Sequence, residues 1–361
     1  MRIAIDMQTT LGQKTGIGFY VANLVRSLEK IDHENTYVKI LPKVSQRDFR
    51  SLERFAWDQI RVPLSAAQAR VDILHQPGFS APIAAGRPVV VTVHDIIAIK
   101  LGQDLPLGSK LYFGRWMPFS YRFASHIIAD SHHTKQDLVE HLQIDPHQIT
   151  VVHLAAAAIY QPISDDVILT NVKKKFRTGE RFILHVGTIS PRKNIEFLVR
   201  VFAQLKPQLN HPTRLVITGK RGWHFQSLFT LIQELKLTDD VVFTDYVTDA
   251  EKAALYSACT LVAFPSLYEG FGFPPIEAMQ CGAPVVASNQ SSIPEVVGSA
   301  GPLLDPTDQP AWVQTISELL TSASKRERLI KQGFVQAAKF SWERTARETL
   351  AVYGHVLRNS K

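Results

Sequence analysis

The sequence predicts an α/β protein built as two doubly wound parallel-sheet domains facing one cleft. Three observations carry this. The chain is 361 residues long with 45% apolar and 20% charged residues, enough for two separate cores. Short β-branched runs alternate with helical patterns, the rhythm of a parallel sheet with crossover helices. That rhythm pauses at a polar stretch, 160–180, and then begins a second time.

Taken in order, "RIAID" (2–6), "YVKILP" (37–42), "VDILHQ" (71–76), "PVVVTVHD" (88–95), "HIIADS" (126–131) and "ITVVHL" (149–154) are predicted strands of the first series. Between the first two, "IGFYVANLVRSLEK" (17–30) repeats Tyr20, Leu24 and Leu28 at a spacing of four, which predicts a helix. The second series runs "FILHVG" (182–187), "RLVITG" (214–219), "VVFTDYV" (241–247), "TLVAFPS" (260–266) and "APVVAS" (283–288). Its first helix, 194–206, aligns Ile195, Leu198, Phe202 and Leu205 in one stripe. The stretch 160–180 reads as the linker.

Composition excludes several classes. With only Cys259 and Cys281, and no CxxC, a disulfide framework is not expected and a reducing compartment is. "MRIAIDMQTT" reads as a first strand, not as a secretory leader. No run approaches the roughly 18 apolar residues of a membrane span. The formal charge of +7 suits an anionic ligand or membrane surface without naming one. No nucleic-acid motif is present, so nucleic acid is not an expected partner.

Open α/β sheets bind ligands beyond the carboxyl ends of their strands, so the strand-to-loop transitions are where chemistry is sought. In "DMQTTLGQKTGIGFYVANL" (6–24), Gly16 and Gly18 precede a helix whose free N–H groups favour a phosphate. A nicotinamide-dinucleotide loop requires glycine where Val21 stands; a packing turn is the plain alternative. His94 and Asp95 end an apolar strand, where a histidine can bond a hydroxyl or meet a developing charge, or simply be held by a backbone carbonyl. Gly187 ends another strand, and Arg192 and Lys193 stand just before the helix that starts near Asn194. Two cations at the positive end of a helix repel unless neutralised, which points to an anion such as a diphosphate; solvated surface cations are the alternative.

The densest transition is "SLYEGFGFPPIEAMQCGAPVVAS" (266–288). Pro275 and Gly282 frame a predicted helix of about two turns, with Glu277 in its first turn and Glu269 in the loop before it. Gly270 and Gly272 let the backbone approach a ligand, and the two carboxylates can accept from hydroxyls. A polyhydroxylated, phosphate-bearing ligand needs both kinds of partner. A dipole-stabilising glutamate plus a loop glutamate explains the charges but not the glycines.

Gly187-Thr188 with Arg192-Lys193-Asn194, then Glu269-Gly270-Phe271-Gly272-Phe273-Pro274 with Glu277, resembles the signature of glycosyltransferase family 4, retaining nucleotide-sugar enzymes of GT-B fold. The Gly16-Ile17-Gly18 loop, Val93-His94-Asp95, "ADSHHTKQDL" (129–138) and "FSWERTARETLAVY" (340–353) fall in that family's order. The resemblance implies two Rossmann-like domains, 1–165 for the acceptor and 166–340 for the nucleotide sugar, with a helix in 341–361 crossing back. It also implies roles. Glu277 holds ribose hydroxyls and Glu269 those of the donor sugar; Arg192 and Lys193 neutralise the departing diphosphate. Gly187 and the N–H groups of Phe271, Gly272 and Phe273 serve sugar and phosphate oxygens, and Gly16 and Gly18 close the site. His94 sits by the anomeric carbon or the 6-hydroxyl, and the base lies near Asp245 to Val247, including Tyr246. No D-x-D triplet occurs in the chain, so a bound metal and other cofactors are not expected.

The similarity is greatest to bacterial O-antigen and capsule mannosyl- and rhamnosyltransferases, implying GDP-mannose as the favoured donor and a lipid-diphosphate-linked or oligosaccharide acceptor. The expected place is the cytoplasm, at the inner face of the plasma membrane. "KLYFGRWMPFSYRFASH" (110–126) interleaves Lys110, Arg115 and Arg122 with six aromatic residues, and "RDFRSLERFAWDQIR" (47–61) adds four arginines. Such a surface suits a lipid-linked acceptor, with Asp95, Lys110 and Arg115 as its contacts, although most of the aromatics are expected to pack on the sheet. A GT-B-fold sugar-nucleotide epimerase and a non-catalytic sugar-nucleotide-binding subunit are the remaining alternatives.

Overall fold

In the computed structural model, residues 1–11, 16–42, 49–100, 102, 106–220 and 225–359 are described. Two predicted stretches lie partly outside them: 12–15 of the first glycine loop, and Arg47 and Asp48 of the arginine-rich segment. Two compact units form, one from Met1–Leu154 with Ser341–Lys361, the other from Ala155–Phe340.

The first unit's sheet holds β1 (Arg2–Asp6), β2 (Thr36–Ile40), β3 (Ile73–Gln76), β4 (Val89–Val93), β5 (His126–Ala129) and β6 (Ile149–Val151). Their order is β2-β1-β3-β4-β5-β6, and every pair is parallel. Helix Gly16–Ile31 buries Tyr20, Leu24 and Leu28, the predicted stripe. The closing helix Trp342–Asn359 belongs to this unit. Tyr353 is fully buried and its hydroxyl lies 2.6 Å from His75 Nδ1, while Thr345 Oγ1 donates to His153 O at 2.7 Å. Burial pushes His75 down to about 3, so it is a neutral core histidine.

The second unit's sheet holds β7 (Phe182–Val186), β8 (Arg214–Thr218), β9 (Val241–Asp245), β10 (Leu261–Phe264), β11 (Val285–Ser288) and β12 (Leu303–Leu304). The order is β12-β11-β10-β7-β8-β9, again parallel throughout. Helix Ile195–Leu205 buries Ile195, Leu198, Val199, Val201, Phe202 and Leu205 against it.

Winding proceeds outward from β7 through β8 and β9, then restarts at β10 on β7's other side. The loops after β7 and β10 therefore diverge to opposite faces and leave a crevice at the strands' carboxyl ends, where ligands of such sheets bind. In the first unit the same reversal falls between β1 and β3.

Two expectations are corrected. The stretch 160–180 is not an open linker: Asp166–Phe176 is a helix, capped by Asp165, which accepts from the N–H groups of Val167 and Ile168. The helix after the second glycine loop is Phe273–Gln280, starting ahead of Pro275, so Glu277 stands in its second turn. Among the described residues no helix is long and apolar enough to cross a membrane.

Candidate functional site

The loop after β7 turns at Gly187, whose φ of +158° and missing Cβ leave space for Lys193; a Cβ there would lie 3.1 Å from Lys193 Cε. A short 3-10 turn, Pro191–Lys193, then places Arg192 and Lys193 ahead of helix Ile195–Leu205. Leu267 N donates to Arg192 O at 2.8 Å, stitching this loop to the one that follows β10. Across the stitch, Glu269 Oε2 accepts from Arg192 Nη1 at 2.7 Å and Oε1 from Lys193 Nζ at 2.5 Å. Arg192 Nη1 also donates to Tyr268 O at 3.1 Å.

Sequence reasoning assigned an external anion to neutralise the two cations, with Glu269 reserved for hydroxyls. In the structure Glu269 is an internal anion that neutralises one of the two positive charges. The reason is proximity: β7 and β10 are neighbours, so their loops start side by side before they part, and a buried carboxylate without a counter-charge is costly. Burial raises the Glu269 pKa, but Lys193 and Arg192 outweigh it and hold the carboxyl at about 2. For Lys193 burial wins over Glu269 and the pKa is lowered. Two cations and one carboxylate leave a net charge of one positive, and each carboxylate oxygen keeps a second lone pair.

The Glu269 backbone is equally fixed. Its N–H donates to Ser291 Oγ at 2.9 Å, while Ser292 Oγ lies 3.0 Å from Glu269 O and 2.8 Å from Phe271 O. Phe271 is buried, with Phe273 and Phe340 at 5.5 and 5.9 Å between ring centroids. Gly272, at φ +108°, is the N-cap of helix Phe273–Gln280 and follows Gly270 in the same turn. The Glu277 carboxylate acts on the Lys193 charge, and it has hydrogen-bond partners of its own. Its Oε2 accepts from Tyr256 OH at 2.9 Å and its Oε1 from Lys252 Nζ at 3.1 Å. Lys252 Nζ also lies 4.8 Å from the Tyr160 ring centroid. Tyr246 is 60% exposed after β9, whereas the next residue, Val247, is buried.

Gly16, Gly18, His94, Asp95, Lys110 and Arg115 belong to the first unit. A Cβ on Gly78 would lie 2.7 Å from Ile17 Cγ2 and 3.3 Å from His94 Nε2, so His94 converges there with the first turn of helix Gly16–Ile31, which contains Gly16 and Gly18 instead of following them as expected. His94 Nδ1 is 2.5 Å from Asp130 Oδ2, and Nε2 is 3.3 Å from Pro77 O. Both ring nitrogens thus face acceptors, which favours the imidazolium. Burial lowers the His94 pKa, but Asp130 more than offsets it and the net shift is upward. A raised folded pKa stabilises the protein below the ordinary histidine range, and that contribution is lost as pH climbs through the folded value. Asp130→Asn is therefore expected to flatten stability between neutral and alkaline pH, read as melting temperature against pH. Asp95 Oδ1 accepts from Ile97 N at 3.0 Å, and Lys110 and Arg115 are exposed.

Several residues at the functional ends of the sheets escaped sequence reasoning. In the first unit, Asp6 at the end of β1 accepts from Trp57 Nε1 at 3.0 Å and Gln76 Nε2 at 3.2 Å. Arg54 Nη1 lies 3.7 Å from both Asp6 and Asp58. Burial, aided by Asp6, pushes Asp58 up to about 7 against Arg54. The signal was present in Asp6, a carboxylate ending an apolar strand. In the second unit, Lys252 and Tyr256 carried no motif.

Residues 15–155 match the family described as Glycosyltransferase Family 4, and residues 169–336 match Glycosyl transferases group 1. O-antigen chain mannosyltransferase B of Escherichia coli is 30% identical, over 94% of this chain and 96% of that one. D-inositol 3-phosphate glycosyltransferase of Salinispora arenicola is 28% identical, over 97% and 89% respectively. Serotype-specific mannosyltransferase WbdA of Escherichia coli is 29% identical over 80% of this chain, which spans only 36% of that relative. Among solved structures, Anabaena Alr3699/HepE in complex with UDP and glucose superimposes with a TM-score of 0.73 at 20% identity, covering 98% of this chain and 100% of that one. WaaG, a glycosyltransferase involved in lipopolysaccharide biosynthesis, gives 0.73 at 16% identity, covering 97% and 99%. The two parallel six-stranded sheets are thus those of the GT-B fold. With both units matched in sequence and a relative aligned almost end to end, the chain belongs to glycosyltransferase family 4.

Proposed function

We propose that this glycosyltransferase moves mannose from GDP-mannose to a lipid-linked or oligosaccharide acceptor during assembly of a bacterial surface polysaccharide, with retention of configuration and without a metal ion. The observation that carries the reading is the Arg192–Lys193–Glu269 constellation at the reversal point of the second sheet. The mannosyl and O-antigen assignments draw support from the relatives' names.

In this reading the donor diphosphate lies against Arg192 and Lys193, whose remaining N–H groups meet its oxygens. As the anomeric carbon–oxygen bond breaks, the leaving phosphate gains negative charge, and cations already in place stabilise it without reorganising. They supply the charge that a metal ion would otherwise bring. Glu269 keeps both cations aimed and accepts from sugar hydroxyls with its spare lone pairs. Glu277, oriented by Tyr256 and Lys252, receives the ribose hydroxyls, and the base rests against the Asp245–Val247 backbone beside Tyr246. N–H groups of Phe271, Gly272 and Phe273 serve sugar and phosphate oxygens, with Gly187 leaving room for them. The acceptor hydroxyl attacks on the face the phosphate leaves, and its proton passes to that phosphate. A lipid-linked acceptor puts the reaction at the cytoplasmic face of the inner membrane.

Thermal unfolding against GDP, UDP, ADP and dTDP, each with and without EDTA, tests the donor assignment. GDP alone is expected to stabilise the protein, with the shift surviving EDTA. Stabilisation by another base would move the donor, a shift lost to EDTA would overturn the metal-free reading, and no shift with any diphosphate would sink the donor site itself.

A further inference from the structure

Open α/β sheets take their ligands at the carboxyl ends of the strands, so a polar cleft at the amino ends is not accounted for by the fold. The second unit has such a cleft, of about 660 Å³, the size of a small-molecule site. Arg181, Thr213, Thr260 and Pro284 line it, and each immediately precedes a strand: β7, β8, β10 and β11 in turn. These parallel strands are neighbours in the order β11-β10-β7-β8. The cleft therefore lies across the amino edge of the sheet, at the end opposite to Arg192, Lys193 and Glu269. Its other wall is the end of helix Gln309–Thr321 and the start of helix Ala323–Ala337.

Two guanidinium groups meet in this cleft. Arg181 Nη2 donates to Leu320 O, and Arg326 Nη1 donates to Leu319 O at 2.5 Å and to Leu320 O at 3.3 Å. Both thus share the carbonyl end of helix Gln309–Thr321, which carries about half a negative charge. One arginine is enough to cap it, and the second leaves an excess of roughly one and a half positive charges. Burial first, and then the Arg181 charge, lower the Arg326 pKa against the pull of Glu327. The nearby acids do not cancel the excess, since Glu318 pairs with Lys325 at 2.7 Å and Glu327 is exposed. Among the described residues neither guanidinium has a carboxylate within ion-pair distance; their hydrogen bonds go to the two carbonyls, and most of their N–H groups are left over. The side chains of His211 and Thr260, in the same lining, make no hydrogen bond among the described residues, and Leu209 and Ile330 add apolar surface beside them.

We propose that this cleft is a second anion site, separate from the donor site, in which Arg181 and Arg326 hold the phosphate group of a small metabolite, as the free ion or as a monoester. Phosphate is favoured over a carboxylate by charge and by shape. A phosphate monoester carries about −1.5 to −2 near neutral pH, which matches the excess on the two arginines. Its oxygens can accept from both planar forks at once, while the body of an ester meets the His211 and Thr260 side chains and the apolar surface of Leu209 and Ile330. An occupant held this way ties the start of β7 to the start of helix Ala323–Ala337, so it stabilises the second unit when it binds. The proposal does not depend on which nucleotide sugar is the donor.

The test is isothermal titration calorimetry of the full chain with inorganic phosphate, glucose 6-phosphate and glucose, without donor or acceptor. The wild type is expected to bind glucose 6-phosphate with a Kd of about 1 mM or tighter and glucose not at all. Equal affinity for inorganic phosphate assigns the free ion as occupant, and tighter binding of glucose 6-phosphate assigns an ester; either supports the site. Arg181→Gln combined with Arg326→Gln should weaken this binding at least about tenfold. Arg192→Gln, in the donor site, should leave it in place, which keeps the result apart from the nucleotide result. Melting curves without ligand confirm that the variants fold, and the single Arg326→Gln serves if the double variant does not. Failure of the wild type to bind, equal binding of glucose, or undiminished binding in the double variant would each overturn the proposal. So would binding that Arg192→Gln abolishes and the double variant keeps, which would place the phosphate in the donor site.

Discussion

Replacing Glu269 with alanine is expected to cost more than a thousandfold in kcat/KM and to lower stability by about 3 kcal/mol. Both losses have one origin. Lys193, whose side chain is 6% exposed, has Glu269 at 2.5 Å as its counter-charge, and Arg192 is steered by the same carboxylate. Without it the ammonium faces the guanidinium alone, burial drives its pKa down further, and the cation proposed to meet the leaving phosphate is lost. Glu269→Gln separates charge from shape. It preserves the side chain's volume and one acceptor, so it should fold better than the alanine variant yet transfer nearly as poorly. Steady-state kinetics and thermal melts on the pair check this, and near wild-type turnover in Glu269→Gln would remove charge neutralisation from the mechanism. The pH dependence has a definite sign. Because the folded carboxyl is held at about 2, below its ordinary value, its stabilising contribution is complete above the ordinary carboxylate range. It is then lost as pH falls toward that lower value, and the alanine variant should lack this loss.

Gly219→Ala is expected to damage the second unit severely although Gly219 lies outside the predicted site. Its φ is +146°, and a Cβ there would stand 2.1 Å from Gly187 O and 2.6 Å from Gly187 C. Both obstacles are backbone, so no side chain can yield. Gly219 N donates to Asp245 O at 3.0 Å and Gly187 N to Thr218 O at 2.9 Å, which fixes the ends of β7, β8 and β9 together. An added methyl must therefore displace the loop that carries Arg192 and Lys193. A stability loss of about 3 kcal/mol or more follows from overlap and backbone strain together. Calorimetry should show it, accompanied by loss of any diphosphate-induced shift; a fully stable variant would mean that the two loops are not in contact.

The strand pattern was legible because buried parallel strands read as apolar runs bounded by turns, and eleven such runs correspond to β1–β11. The strand β12, only Leu303–Leu304, is too short to produce any pattern. Helix Asp166–Phe176 was misread because Val172 is its only buried residue. It is instead defined by its ends, Asp165 at one and Lys173, Lys174 and Lys175 at the other. In the site, residue types were readable and pairings were not. Arg192, Lys193 and Glu269 announced charge near a helix start, but nothing local told that a carboxylate 76 residues from Lys193 would neutralise it. Lys252 and Tyr256 were invisible for the same reason, since their importance lies in Glu277 across the fold.

The helix Trp342–Asn359 has a consequence for how the molecule is made. It supplies Tyr353 to His75 and Thr345 to His153, so the first unit is closed by residues that leave the ribosome after the whole second unit. The second unit is one uninterrupted segment, Ala155–Phe340, and can complete its core while the tail is still in the exit tunnel. The first unit meanwhile waits with its sheet uncovered around His75, on the interior strand β3. During synthesis, then, the half that begins first finishes second, and a nascent chain arrested just before Ser341 should expose a chaperone-binding surface that full-length protein has hidden.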